Sequence, residues 1–193
     1  MKLNKIGIQG AKGSFSEEAA KVFAKNHGIE DSEIVYLISS KAVIGAVESD
    51  EVCFGVFAME NAQGGVVIES VEALAEFRCR IVEMFHIPVS QNLLARHDVY
   101  IGDITEIHSH QQALRQCKDY LAEHFWTRPL IDADDTAEAA RRLSEGTLPK
   151  TVGVVGSKYC AELYDLNIVE KDIHDLKHNL TLFLAVEKIE DNK

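Results

Sequence analysis

The chain of 193 residues predicts an α/β fold built on a mainly parallel sheet. Three observations carry that expectation. Short apolar runs alternate with stretches of helical period. The joints between them are small, polar and rich in Gly, Ser and Thr. Composition, at 46% hydrophobic and 26% charged, is that of a globular chain able to bury its own core. The first strand is expected over 5–9. The loop Gly10-Ala11-Lys12-Gly13-Ser14-Phe15-Ser16 follows, then a helix to about His27. Ser14 and Glu17 have capping-box spacing, and Gly28 suits the far end. A second strand at 34–38 leads through Ser39-Ser40 to a short helix ending near Ser49. A third at 53–59 leads through Glu60-Asn61-Ala62-Gln63-Gly64-Gly65 to a helix ending at Phe77, with Val67, Val71 and Leu74 as its apolar face. Residues 80–89 read as extended, with Pro88 near their end. A strand at 104–108 precedes Ser109-His110 and one helix over 111–125, with Leu114, Cys117 and Leu121 as its buried stripe. A strand at 129–133 precedes an Ala-rich helix ending at Gly146. A strand at 151–155 precedes a helix to about Asp165, and a strand at 179–186 closes the pattern.

Charge narrows the function classes. Twenty Lys and Arg against 31 Asp and Glu give a net charge of −11. An acidic chain without a basic stripe is not expected to bind nucleic acid. The apolar runs are strand-sized, too short to span a membrane. Met1-Lys2-Leu3-Asn4-Lys5 runs directly into a strand without a signal-like apolar region, so a cytoplasmic location is expected. Cys53, Cys79, Cys117 and Cys160 lie far apart with no CxxC pair, and are expected to be buried, reduced thiols.

In parallel α/β sheets ligands sit beyond the carboxyl ends of the strands, which is where these loops fall. Helices start there with unpaired N–H groups and partial positive charge. Hydroxyls of Ser14, Ser16, Ser109, Thr136 and Ser157 sit beside those starts, a combination that suits a carboxylate or phosphate, or that serves only as N-caps. Gly7, Gly10 and Gly13 lack the Gly-x-Gly start of a dinucleotide loop, and no P-loop lysine is present, so no nucleotide cofactor is expected. His108 and His110 lie two apart, but His110 is expected to open a helix. His174 and His178 lie four apart near Asp172 and Asp175, and a solvated face is expected there rather than a metal site.

Four ordered segments resemble the catalytic domain of prephenate dehydratase. They are Gly10-Ala11-Lys12-Gly13-Ser14-Phe15-Ser16 with Glu17-Glu18-Ala19-Ala20; Glu60-Asn61-Ala62-Gln63-Gly64-Gly65-Val66; Ser109-His110-Gln111-Gln112-Ala113-Leu114-Arg115-Gln116-Cys117 with Asp135-Thr136-Ala137-Glu138-Ala139-Ala140; and Asn179-Leu180-Thr181-Leu182-Phe183. The resemblance implies two α/β lobes with a central cleft, similar to a periplasmic binding protein of type II. Lobe one would be about 1–84 plus 170–193, and lobe two about 85–169. It also implies decarboxylation and dehydration of prephenate, a dicarboxylate, to phenylpyruvate in phenylalanine biosynthesis. Aromatisation drives that reaction, so neither a metal nor an organic cofactor is expected. A homo-oligomer, a dimer, is the expected assembly.

Carried over position by position, the resemblance makes Thr181 the group that contacts the departing hydroxyl, with His110 as a partner for the proton. Ser14, Glu60, Asn61, Ser109, Thr136, Asn179 and Phe183 become substrate contacts. Four departures stand out: Leu182 replaces the Arg of Thr-Arg-Phe, Ala62 the Ser of Glu-Asn-Ser, Gln111 a Pro after Ser109-His110, and Ala11 a Pro after Gly10. Losing the Arg removes a natural bidentate partner for a carboxylate, whose place Lys12 or His178 could take. Residues 181 and 182 point to opposite faces of a strand, so Leu182 is alternatively a packing residue. The family's C-terminal amino-acid-binding domain is expected to be missing, and with it feedback by phenylalanine through that domain. Two alternatives stay open beside the dehydratase: a non-aromatising prephenate decarboxylase, and a non-catalytic small-anion binder of the same fold.

Overall fold

The computed structural model describes residues 4–189. The chain divides into two compact units. One runs to Pro88 and resumes at Leu180; the other is Val89–Asn179. These boundaries differ from the expected 84/85 and 169/170. The strand before the first crossing continues to Pro88, and Ile173 packs into the core of the second unit.

The first unit contains β1 (Asn4–Ile8), α1 (Phe15–Asn26), β2 (Ser32–Tyr36), α2 (Ser40–Glu48), β3 (Phe54–Asn61), the two-residue β4 (Gly65–Val66), α3 (Ile68–Glu76) and β5 (Arg80–Pro88). The second contains β6 (Asn92–Ala95), a 3-10 turn at Ile101–Asp103, β7 (Glu106–Ser109), α4 (Gln111–Gln116), α5 (Lys118–Phe125), β8 (Leu130–Asp132), α6 (Thr136–Ser144), β9 (Val152–Gly156), α7 (Lys158–Leu163) and β10 (Asn167–Glu170). β11 (Leu180–Glu187) completes the first unit.

Strand order in the first sheet is β2-β1-β3-β11-β5, with β4 paired to β3; in the second it is β10-β6-β9-β7-β8. β1 pairs parallel with β2 and β3, but β11 is antiparallel to both β3 and β5. In the second sheet β7 is parallel to β8 and β9, while β6 is antiparallel to β9 and β10. Both sheets are therefore mixed, not mainly parallel. The reason in the first unit is the route of the chain: it leaves along β5 and returns along the adjacent β11, so those neighbours must run in opposite senses.

Each sheet is covered on both faces. In the first unit Ile6, Ile8, Val56, Phe183 and Ala185 pack under α1 with Phe23, and Phe57, Leu184 and Val186 pack under α2 and α3. Fully burying one such aromatic or aliphatic side chain stabilises by roughly 1.5–3 kcal/mol. In the second unit Leu93, Ile107 and Val155 meet Cys117, Leu121 and Phe125, while Leu94, Val152 and Val154 meet α6 and α7. The expected stripe Leu114, Cys117 and Leu121 packs into this core. On α3 the buried residues are Ser70 and Ala73, and Val71 is 43% exposed, so the expected apolar face is rotated. Ser70 is buried because its hydroxyl donates to the Ala58 carbonyl (2.6 Å).

The single helix expected over 111–125 is two. Asp175 separates them: its N–H donates to the Gln116 carbonyl (2.7 Å), and its carboxylate accepts from the Asp119 N–H, capping α5. Cys117, at that joint, is fully buried, as is Cys160, whereas Cys53 and Cys79 are only partly buried. All four are free thiols. Among the described residues no helix is long and apolar enough to cross a membrane.

Candidate functional site

In the first unit the polar groups gather where β1 and β3 end and β11 begins. β11 pairs with β3 through Thr181↔Asn61 and Leu182↔Glu60, and then jumps to Phe183↔Ala58. The skipped residue, Met59, makes a β-bulge. Without it Asn61 would point to the opposite face of the sheet, since side chains alternate. With it, Asn61 faces Thr181, and Asn61 Nδ2 donates to Thr181 Oγ1 at 2.8 Å. Asn61 Oδ1 accepts from the N–H groups of Gln63 (3.0 Å) and Gly64 (2.8 Å), which closes the turn after β3. Both side chains are buried, with Asn61 8% and Thr181 6% exposed.

The loop before α1 is held from beneath. Gly10 and Gly13 have φ of +135° and +91°, a region that favours glycine, and a Cβ on Gly10 would come within 2.8 Å of Ser14 Oγ. Ser14 is the N-cap of α1, its Oγ accepting from the Glu17 N–H at 3.4 Å. The Glu17 carboxylate, 3% exposed, accepts from the Gly13 N–H (2.8 Å) and pairs with Lys21. Gln9 was not anticipated from the sequence: its side-chain carbonyl accepts the Ala58 N–H (3.2 Å) just before the bulge. The only signal for it was its position at the end of the expected first strand, next to Gly10.

In the second unit Ser109 ends β7. Its hydroxyl donates to the Val155 carbonyl (2.8 Å), so at the 3.1 Å contact between Ser109 Oγ and Thr136 Oγ1 the proton comes from Thr136. Both hydroxyl protons are thus turned inward, and Ser109 is wholly buried. The N-cap of α4 is His110, not Ser109; His110 Nδ1 accepts from the Gln112 N–H at 3.3 Å, so its neutral ring carries the proton on Nε2. Gln111 is the first residue of α4, a position where a Pro would also be well tolerated.

The helix starts are not uniformly receptive to anions, as the sequence suggested. Asp135 caps α6, and Glu69 accepts from the Ser40 N–H at the start of α2, so carboxylates already sit on those N-termini. Ser16 lies inside α1, and Ser157 caps the short α7.

The structure brings Asn61 and Thr181 together in one unit, and Ser109, Thr136 and His110 near one another in the other. Ser14 lies at the start of α1. Two expected contacts, Phe183 and Glu60, are placed differently. Phe183 is 1% exposed and packs against Phe85 in the core, so it presents no surface to a ligand. Glu60 is exposed but shares its face with Leu182, opposite Thr181. Asn179 is 2% exposed, and its carbonyl accepts the Val89 N–H at 2.8 Å. Leu182 is half-buried, with Glu60 across from it on β3 and His86 on β5.

His174, expected on a solvated face, is instead 5% exposed, its Nδ1 accepting the Gln91 N–H at 3.4 Å. Nearby, Gln91 Nε2 donates to Gln116 Oε1 at 3.0 Å, a buried amide pair the sequence did not suggest. Burial, and then the Asp175 charge, pushes the Cys117 thiol up to about 12. Among the described residues no three His, Cys, Asp or Glu side chains are grouped to hold a metal ion.

Two mixed α/β units, each with loops and helix starts at its strand ends, define a two-unit α/β protein. The fold is shared with an ABC transporter structure from Parabacteroides distasonis, with a TM-score of 0.50 at 12% identity over 95% of this chain and 66% of that one. The chain belongs to the prephenate dehydratase family, whose model matches residues 6–191. It is 32% identical to a prephenate dehydratase of Lactococcus lactis over 95% of this chain and 63% of that protein. A prephenate dehydratase from Arthrobacter aurescens, solved in complex with L-Phe, superposes with a TM-score of 0.86 at 24% identity, covering 97% of this chain and 61% of that one. The chain thus spans less than two thirds of the length of these two relatives.

Proposed function

We propose that the chain converts prephenate to phenylpyruvate, carbon dioxide and water. In that reaction the bond from the ring to its carboxylate breaks. The electron pair moves through the ring, and the ring hydroxyl leaves, taking up one proton to become water. The arrangement of Thr181 is the observation that carries this reading. It lies in a family motif, is buried, and accepts from Asn61, so its own proton remains to be given. A neutral hydroxyl is too weak an acid to surrender that proton outright. Thr181 therefore donates a hydrogen bond to the departing oxygen, and solvent supplies the net proton. His110, with its proton on Nε2, is a second donor to be tested in its own right, as is Ser14, whereas the Thr136 proton is already given to Ser109. The Ser109 proton is already committed to the Val155 carbonyl, so Ser109 enters this reading as an acceptor and a brace. The test is incubation with prephenate, following the ultraviolet spectrum of the product. Phenylpyruvate is expected. A non-aromatic product would replace the reading with a decarboxylase, and binding without turnover would replace it with a binding protein.

A further inference from the structure

We infer that Asn61 is a positioning residue which orients the Thr181 proton, and not a substrate contact; the inference rests on the dehydratase reading. The order of the hydrogen bonds leads to it. The N–H groups of Gln63 and Gly64 can only donate, so the side-chain oxygen of Asn61 must face them and its nitrogen must face Thr181. The amide cannot be turned over without leaving two backbone donors facing an NH2 group. At Thr181, Oγ1 is therefore an acceptor from Asn61, and the single hydroxyl proton is directed elsewhere. A threonine without this neighbour could rotate its proton into several directions, only one of which serves a departing hydroxyl. The bulge at Met59 is part of the same device, because it places Asn61 on Thr181's face of the sheet.

Asn61→Asp separates the positioning role from a merely structural one. The carboxylate keeps the size of the side chain and still accepts from Gln63 and Gly64. The atom facing Thr181, however, becomes an oxygen that can only accept, and it draws the Thr181 proton to itself. The expected result is a kcat lower by about a hundredfold or more, with KM changed by less than about threefold and the thermal midpoint close to that of the unmodified chain. As pH falls and the new carboxyl protonates, it can donate again, so kcat should partly recover, a pH profile that the unmodified chain does not show. Unchanged kcat, or a loss confined to KM, would overturn the inference. A second measurement needs neither turnover nor a folded Asn61→Asp chain: the side-chain amide resonances of Asn61 in the unmodified chain and in Thr181→Val. They should shift when the acceptor is removed, and no shift would overturn the inference. If the unmodified chain does not act on prephenate, the dehydratase reading falls while the amide shift still reports on the hydrogen bond itself.

Discussion

Thr181→Val removes the one hydroxyl proposed to donate to the departing oxygen. Val nearly matches Thr in shape and suits a strand, so the packing of β11 between β3 and β5 should persist. What is lost is the acceptor for Asn61 Nδ2, now 2.8 Å away in a spot where Asn61 is 8% and Thr181 6% exposed. Asn61 Nδ2 keeps a longer bond to the Leu180 carbonyl at 3.5 Å, so losing the shorter one costs about 0.5–1.5 kcal/mol. For a chain of this size that lowers the thermal midpoint by about 1–6 °C. The effect on the reaction should be larger. Loss of a positioned proton donor typically lowers the chemical rate by about 10²–10⁴-fold, equivalent to about 3–5 kcal/mol in the barrier. The two quantities separate cleanly when kcat and KM are measured on prephenate at a temperature where circular dichroism shows the variant folded. The fall should appear in kcat, with KM nearly unchanged. A folded variant retaining kcat within about threefold of the unmodified chain would refute the role given to Thr181.

Leu182→Arg should leave prephenate affinity unchanged, because position 182 faces away from Thr181. Its guanidinium should instead pair across the strands with Glu60, a contribution of about 0.2–1 kcal/mol. A gain in affinity of about tenfold or more, measured by calorimetry, would show that this position reaches the substrate after all. The Cys117 thiol, pushed up to about 12 by burial and then by Asp175, should make stability fall with rising pH. The unfolded thiol ionises from its ordinary value of 9.0 and the folded one only near 12. The folded state therefore binds the extra proton between those values, and stability is lost as pH climbs through that window. The slope from this one group reaches about 1.4 kcal/mol per pH unit. Tyr120, also pushed up to about 12, first by burial and then by Glu170, adds to it. Urea unfolding of Cys117→Ala should give a flatter alkaline limb, and identical slopes would contradict the assignment.

The elements most legible in the sequence were those whose ends carry their own chemistry. Ser14, followed three residues later by Glu17, marks the start of α1. The carboxylate of Glu17 reaches back to Gly13 and not to Ser14, a detail that spacing alone does not specify. The apolar runs of β1, β2, β3 and β9 are short, rich in β-branched or aromatic residues and bounded by polar loops, so they read as strands. β6, which begins at Asn92, lies beyond the extended stretch expected over 80–89 and was missed. β10 is four residues long and only partly apolar. The break between α4 and α5 was invisible because Asp175, which makes it, lies 56 residues from Asp119. The antiparallel return of β11 depends on which strand it joins, a property of the assembled sheet.

The same division runs through the candidate site. Thr181, Asn61 and His110 stood out as polar residues in motifs beside strand ends. The bulge that turns Asn61 toward Thr181 arises from pairing between segments 120 residues apart. Glu60 and Asn61, adjacent in one motif, are sent to opposite faces of the sheet. Phe183 belongs to its motif by sequence and to the hydrophobic core by packing. Ser109 is polar and beside a helix start, yet its proton is spent inside the sheet on Val155, which no local pattern reveals.

The most direct test of the central claim is the stoichiometry of the reaction with prephenate, measured in one vessel as carbon dioxide released and phenylpyruvate formed. Equal amounts of the two are expected, with prephenate consumed to match. Carbon dioxide without phenylpyruvate, or prephenate left intact by the folded chain, would contradict it.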